Sequence, residues 1–272
     1  MLPTRAAPPN FAPPPDYVQT GTLDAAAGRA ILAECREAGP AQPYYLEFVL
    51  RQLPRRGAEK DFPGRLWVSR NDAGLISRVE INPGTPAERR FLLQRGESSS
   101  VWLYDPGAPT AAARPVTPWE PLEPGLEITA FDLEMPFLYW PDARPLSVNR
   151  IHGRPADLFV FVPPAAVARQ LPELGAVRAY LDAEHHAPVQ IETLGPDGRV
   201  RKTFTLVGLK EVSTEWLPKD IDVRNDATRD KARFSVTAAA LGLDFSPALF
   251  SPAVLGEAVA PPPPDRIVRF EP

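Results

Sequence analysis

The chain has one cysteine, Cys35, in 272 residues, so no internal disulfide can staple the fold and thiol usage says nothing about the compartment. Leu32-Ala33-Glu34-Cys35 has the outline of a lipidation box, but an acid precedes the cysteine and no apolar h-region stands upstream, so a packed helical cysteine is expected. The sequence lacks an apolar run of about 20 residues, the length a bilayer-spanning helix requires. It also lacks a basic excess: 30 Lys and Arg stand against 34 Asp and Glu, a formal net charge of −4, so no basic surface advertises nucleic acid or anionic lipid headgroups, and nucleic acid is not an expected partner. A G-x-S-x-G elbow, a phosphate-cradling glycine loop and a metalloprotease helix motif are all missing. Met1 to Asp16 is proline-rich and polar and does not read as a secretory signal, so export would require that such a signal has been removed.

What the chain has in excess is proline, 35 residues, which is excluded from helix interiors and central strands and so punctuates the sequence. A hydrophobic fraction of 44% with 24% charged residues suits a folded globular chain, and the length allows one large β domain or two small ones. Residues 1–19 carry Pro3, Pro8, Pro9, Pro13, Pro14 and Pro15 and read as an extended tether. Thr22 to Ala38 places Leu23, Ala27, Ala30 and Ile31 at helical spacing, with Thr22 as N-cap and Gly39-Pro40 as a stop.

From Tyr44 the period becomes two: Leu46, Phe48 and Leu50 alternate with Glu47, Val49 and Arg51. Further strands are expected over Arg65 to Arg70, Leu75 to Ile81, Arg89 to Arg95 and Val101 to Tyr104, separated by turn-rich clusters. Residues 105–125 hold six breakers, Pro106, Pro109, Pro115, Pro118, Pro121 and Pro124, and read as a surface insertion loop. Ile128 to Trp140 is too apolar for a solvated connector and is expected to plug or cover an apolar surface with a short helix. Strands return at Leu158 to Val162, Val177 to Asp182, Val189 to Leu194, Arg199 to Leu209, Ile221 to Asn225 and Ala232 to Thr237, with Gly195-Pro196-Asp197-Gly198 as a hairpin turn. Residues 258–272 form a proline-rich tail whose last eight residues are either frayed or a late edge strand, and residues 20–257 read as a single domain.

The order of features from Leu66 to Leu255 resembles the LolA/LolB-like superfamily of outer-membrane lipoprotein-sorting carriers. Phe131-Asp132-Leu133 with the apolar residues after it looks like that family's helical plug, and His152-Gly153-Arg154 followed by Leu158-Phe159-Val160-Phe161-Val162-Pro163 is similar to its glycine-basic turn and proline-ended strand. Val177 to Asp182, Ala187-Pro188-Val189, then Gly195-Pro196-Asp197-Gly198 and Lys202 are similar to its strand, return strand and hairpin. Trp216 to Ile221, Asn225, Phe245, Leu249-Phe250-Ser251 and Leu255 match its closing pattern. The resemblance implies a mainly β (α+β) fold: a strongly curved, incompletely closed antiparallel β-barrel or half-barrel, with an N-terminal helix and a short helical plug on the concave side. It also implies a periplasmic or outer-membrane-associated, non-enzymatic, monomeric carrier. Its partners would be lipid acyl chains or a lipidated protein, together with other envelope sorting proteins, and no cofactor is expected. The extended head, the 105–125 insertion and the proline tail depart from the small carriers.

Alternation supplies the candidate lining of a lipid cavity: Leu46, Phe48, Leu50, Leu66, Val68, Phe91, Leu93, Val101, Leu103, Phe159 and Phe161 from strands, with Phe131, Met135, Phe137 and Leu138 from the plug. An inward stripe on a sheet is also what an ordinary core looks like. Trp67, Trp102 and Trp140 fit a place in the lining and a rim or surface position equally well. Asp182-Ala183-Glu184-His185-His186 is the cluster closest to a metal-ligand set, yet adjacent histidines on an extended segment point to opposite faces, so a solvated turn is expected there. Two rivals to a carrier remain: a non-catalytic envelope scaffold whose interior is filled, and a hydrolase acting on envelope lipid or glycan.

Overall fold

A computed structural model of the chain describes Phe11 and residues 18–108 and 112–271. In chain order its first half carries β1 (Gln19–Thr22), α1 (Ala25–Glu37), β2 (Tyr44–Leu53), β3 (Lys60–Asn71), β4 (Gly74–Ile81), β5 (Arg89–Gln94), β6 (Ser100–Tyr104), β7 (Arg114–Val116) and α2 (Ala130–Glu134). The second half carries β8 (Asp142–Ile151), β9 (Arg154–Val162), α3 (Ala165–Gln170), β10 (Ala176–Asp182), β11 (Pro188–Leu194), β12 (Val200–Val212), β13 (Glu215–Asn225), β14 (Lys231–Ala240) and β15 (Val268–Arg269). The strands form a sheet in the order β1-β8-β9-β10-β11-β12-β13-β14-β2-β3-β4-β5-β6-β7, with β15 on β14, and the order does not close on itself. Every strand expected from alternation is present. Compact packing divides the chain into two units, Met1–Ala38 with Trp140–Thr203, and Gly39–Tyr139 with Phe204–Pro272.

In the first unit, Asp24 and not Thr22 caps α1, accepting from the Ala26 and Ala27 N–H groups at 2.7 and 2.8 Å. The buried face of α1 is Gly28, Leu32 and Cys35, whereas Ala30 of the expected face is exposed. Gly28 sets that rotation: a Cβ there would meet Pro145 Cβ at 2.7 Å and Phe159 Cε1 at 3.3 Å, so the helix turns its smallest residue to the closest approach. Pro145 lies inside β8, a strand the proline reading missed, at the point where its register with β9 shifts. The expected tether lies mostly outside the described residues, at 1–10 and 12–17. Phe11 packs against Val160, Ala176 and Leu194, and β1 pairs with β8.

In the second unit β2 to β6 run as a meander of antiparallel hairpins, and β14 pairs β2 on its other side. The insertion, whose residues 109–111 lie outside the described set, contains a three-residue strand, β7, across from Val101 to Leu103, so its prolines did not prevent a short edge pairing. After β14, residues 241–267 fold back over one face of these strands as 3-10 turns. Leu243, Phe245, Leu249, Phe250, Val259 and Ile267 pack there on Tyr45, Trp67 and Ala240. Trp67 is therefore core and not a rim or surface aromatic.

Candidate functional site

The strand registers align the candidate residues of the second unit across the sheet. Leu46 lies opposite Leu66, which lies opposite Val79, which lies opposite Phe91, which lies opposite Leu103. Because side chains alternate along each strand, Leu46, Phe48, Leu50, Leu66, Val68, Phe91, Leu93, Val101 and Leu103 all fall on one face. Val79 and Ile81 of β4, Phe234 and Val236 of β14, and Ile221 and Val223 of β13 extend it, since Phe234 pairs Leu50 on one side and Ile221 on the other. Phe48 and Phe234 stack with ring centroids 4.5 Å apart. The face is thus apolar and continuous across seven neighbouring strands, β13-β14-β2-β3-β4-β5-β6. Each large side chain fully buried on it contributes about 1.5–3 kcal/mol relative to exposure.

Residues 118–139 lie across this face. α2 and the 3-10 turn Pro136–Tyr139 supply Phe131, Phe137 and Leu138, all buried, with Met135 half-buried between them. Trp119 packs on Phe131 at 4.3 Å between centroids and Phe131 on Phe137 at 5.7 Å. The expected plug is present as a helix of five residues that ends at Met135 in the left-handed region, with φ 50°.

What holds the plug is polar, and the sequence reading did not single it out. Arg89 and Arg95 flank Phe91 and Leu93 on the same side of β5. Arg89 Nη1 donates to the carbonyls of Pro121 and Leu122 at 2.8 and 3.0 Å, and its Nη2 pairs with Glu120 at 2.6 Å. Arg95 Nε donates to the Glu134 carbonyl at 2.7 Å and Nη2 to that of Leu133 at 3.0 Å. From β2, Gln52 donates to the Gly125 carbonyl at 2.8 Å, and Asn225, at the end of β13, donates to the Glu127 carboxylate at 3.2 Å. Asp132 accepts from the N–H and hydroxyl of Thr129 at 2.8 and 2.9 Å and fixes the start of α2. The signal that could have found the two arginines is their parity: each continues the Phe91, Leu93 alternation beyond its apolar end.

Glu134 is the exception among these polar groups. Its side chain is 2% exposed, and neither carboxylate oxygen reaches a hydrogen-bond partner of ordinary geometry among the described residues. Burial pushes its carboxyl up to about 8, outweighing the Ser99 hydroxyl and the Arg95 guanidinium, which stand near enough to favour the charge.

The opposite face of the same strands is organised otherwise. Arg78 on β4 and Arg90 on β5 are buried there with Glu80 and Glu88: Arg78 Nη2 lies 3.0 Å from Glu80, and Arg90 Nε 2.6 Å from Glu88. The two guanidiniums also donate to the carbonyls of Val254, Leu255, Gly256 and Glu257, fastening the C-terminal strap. Burial raises the Glu80 carboxyl, with Arg78 opposing it.

Phe159 and Phe161 belong to the first unit. They share one face of β9 and stand 6.1 Å apart between ring centroids, and Phe159 lies beneath α1 at Gly28. In the same unit, Asp182 to His186 is the turn between β10 and β11. Asp182 Oδ1 accepts from the N–H groups of Glu184 and His185 at 3.0 and 2.9 Å, and His186 Nδ1 pairs with Glu34 at 2.7 Å. Among the described residues no three His, Cys, Asp or Glu side chains group as a metal site, and no helix is long and apolar enough to cross a membrane.

No protein-family model matches the chain, and no curated protein matches it in sequence. Solved structures do match. The fold is that of the LolA-like incomplete barrels, an antiparallel sheet that does not close, as the sequence resemblance implied. A domain from Vibrio parahaemolyticus named for outer membrane lipoprotein sorting superposes with a TM-score of 0.70 at 16% identity, over 83% of this chain and 97% of its own. A DUF1329 family protein from Desulfovibrio piger gives 0.71 at 12% identity, over 85% and 98%. A LolA superfamily protein from Nitrosomonas europaea gives 0.62 at 16% identity, over 82% and 96%. At these identities the likeness is one of fold.

Proposed function

We propose that this chain is a lipid or lipoprotein carrier of the bacterial envelope, which holds acyl chains between the plug and the apolar face of β13-β14-β2-β3-β4-β5-β6. The observation that carries the reading is the pairing of a continuous apolar face with an apolar cover. That cover is fastened by side-chain hydrogen bonds to its backbone carbonyls and not by strand pairing to the sheet. The names of the similar structures, lipoprotein sorting and the LolA superfamily, support it. The lining comprises the nine strand residues from Leu46 to Leu103 with Phe131, Met135, Phe137 and Leu138; Phe159 and Phe161 belong to the first unit and are not counted in it. The protein works in the periplasm or at the periplasmic face of the outer membrane, as a monomer, and passes cargo to other envelope sorting proteins without a chemical step.

Burying a methylene contributes about 0.8 kcal/mol, so one long acyl chain gains on the order of 10 kcal/mol over water without a polar contact. Taken from a membrane or another carrier, the same chain gains almost nothing, so the cost of moving the plug decides the direction of transfer. Native mass spectrometry of gently purified protein, together with displacement of a fluorescent fatty acid, tests the reading. Lipid-bound species and saturable uptake are expected; protein that neither carries nor takes up lipid overturns it. One observation favours a scaffold with a filled interior: thirteen of the fifteen candidate residues are 5% exposed or less. On that reading fatty acid leaves the melting temperature unchanged, whereas a carrier is stabilised by it.

A further inference from the structure

We propose that Glu134 makes the plug a proton-coupled gate: the plug docks with this carboxyl protonated and opens with it ionised, the O–H bond breaking and one proton passing to solvent. The inference deepens the carrier reading and rests on it for its consequence, though the gate itself is a property of the plug.

The geometry supplies the coupling. Glu134 is the last residue of α2, immediately before Met135, whose left-handed backbone (φ 50°, ψ 52°) turns the chain into the next 3-10 turn. Any outward movement of α2 about that turn carries the Glu134 side chain from burial to water. In the docked state both its oxygens are shielded and without a partner of ordinary geometry among the described residues. The charged group facing it is Arg95 from the end of β5, and two of that guanidinium's donors are taken by the carbonyls of Leu133 and Glu134. Ser99, in the turn after β5, offers a hydroxyl, and the one other acid of α2, Asp132, is turned to Thr129. A carboxylate in that place would be left buried with half-committed neighbours, and a neutral carboxyl is tolerated there.

The sign follows from linkage. The docked plug binds its proton up to about pH 8, while in the open state the carboxyl returns to the ordinary value of 4.5. Docking is therefore fully favoured below the lower value and is lost as pH rises through the upper one. Between them the open-to-docked ratio rises about tenfold per pH unit, and above the upper value it levels off. Neutral pH falls on the steep part, so small changes in local acidity at a membrane surface or a partner move the plug.

The test is amide hydrogen exchange of the full chain over residues 130–139 from pH 5 to 9, compared at each pH with Glu134→Gln so that the intrinsic chemistry of exchange cancels. The expected result is a wild-type to variant ratio of opening that climbs about tenfold per pH unit and flattens above pH 8. A ratio independent of pH overturns the gate. Should Glu134→Gln not fold, the strap peptide around residues 248–257 of the wild type serves as the internal reference. A parallel arm follows uptake of a fluorescent fatty acid, which should be faster at pH 8 than at pH 6 in the wild type and flat in the variant. Exchange that depends on pH with no uptake at any pH keeps the gate and defeats the carrier; uptake with exchange indifferent to pH does the reverse.

Discussion

The strands β2 to β6 bury both of their faces, and they do so by opposite means. On the plug side the middle of the strands is apolar apart from Ser77 of β4, which lies between Val68 and Leu93, and the groups that grip the cover, Arg89, Arg95, Gln52 and Asn225, stand at the rim. On the strap side the polar groups sit in the middle, as the buried Arg78, Glu80, Arg90 and Glu88 network under the C-terminal carbonyls. An ionic interior works only with its own exact complement of donors and acceptors, because each unpaired member costs several kcal/mol. An apolar interior accepts any filler of suitable volume. The strap side is thus built for one permanent occupant, and the proposed function assigns exchangeable ones to the plug side.

Breaking the ionic face should have the largest effect. Arg78→Met leaves Glu80 buried beside a single remaining cation and loses the strap carbonyls, at a cost of about 3–5 kcal/mol in urea unfolding; pairing it with Glu80→Leu should recover most of that loss. If the single variant unfolds like the wild type, the strap is not held as described. Next come two truncations of similar size on opposite faces. Phe91→Ala and Trp67→Ala should each cost about 3 kcal/mol. Saturating fatty acid should restore part of the melting temperature of the first and none of the second, since acyl methylenes can fill a cavity only where they can enter. Equal rescue of both, or of neither, removes the distinction between the faces.

Smaller effects sharpen the plug side alone. Arg95→Ala removes two charge-assisted bonds to the plug, about 1–3 kcal/mol, and this should appear as faster exchange over residues 130–139 and faster fatty-acid uptake, with the global unfolding midpoint little changed. Asp132→Ala removes the cap of α2 at about 1 kcal/mol and should reproduce the Arg95→Ala exchange pattern more weakly. A matching loss of global stability in either variant would mean that the plug unfolds only with the whole unit.

The plug-side face was legible in the sequence because alternation is a local signal: Leu46, Phe48 and Leu50 declare their side without knowledge of their neighbours. The same rule hid the strap side, because charged residues such as Arg78, Glu80 and Arg90 alternate with apolar ones just as a solvated face does, and the residues that cover them, 254–257, lie far along the chain. Proline misled in a definite way. Pro145 sits at a bulge in β8 and Pro115 in the edge strand β7, two places that tolerate a missing N–H, so both strands went unread. The α1 face was misassigned because hydrophobicity ranks Ile31 above Gly28, while close approach to Pro145 and Phe159 ranks them the other way. Glu134 was invisible as a special group, since a lone acid in an apolar run gives no hint of whether it finds a partner.

A sheet that stops without closing has two margins, and the one at β7 carries a safeguard against self-association. Arg114-Pro115-Val116 is three residues long with proline at its centre, so the margin offers no continuous row of N–H donors on which a second copy could add a strand. Under the proposed exchange of guests such an edge matters most when the plug opens, because that is the moment at which neighbouring molecules would otherwise stack into fibres.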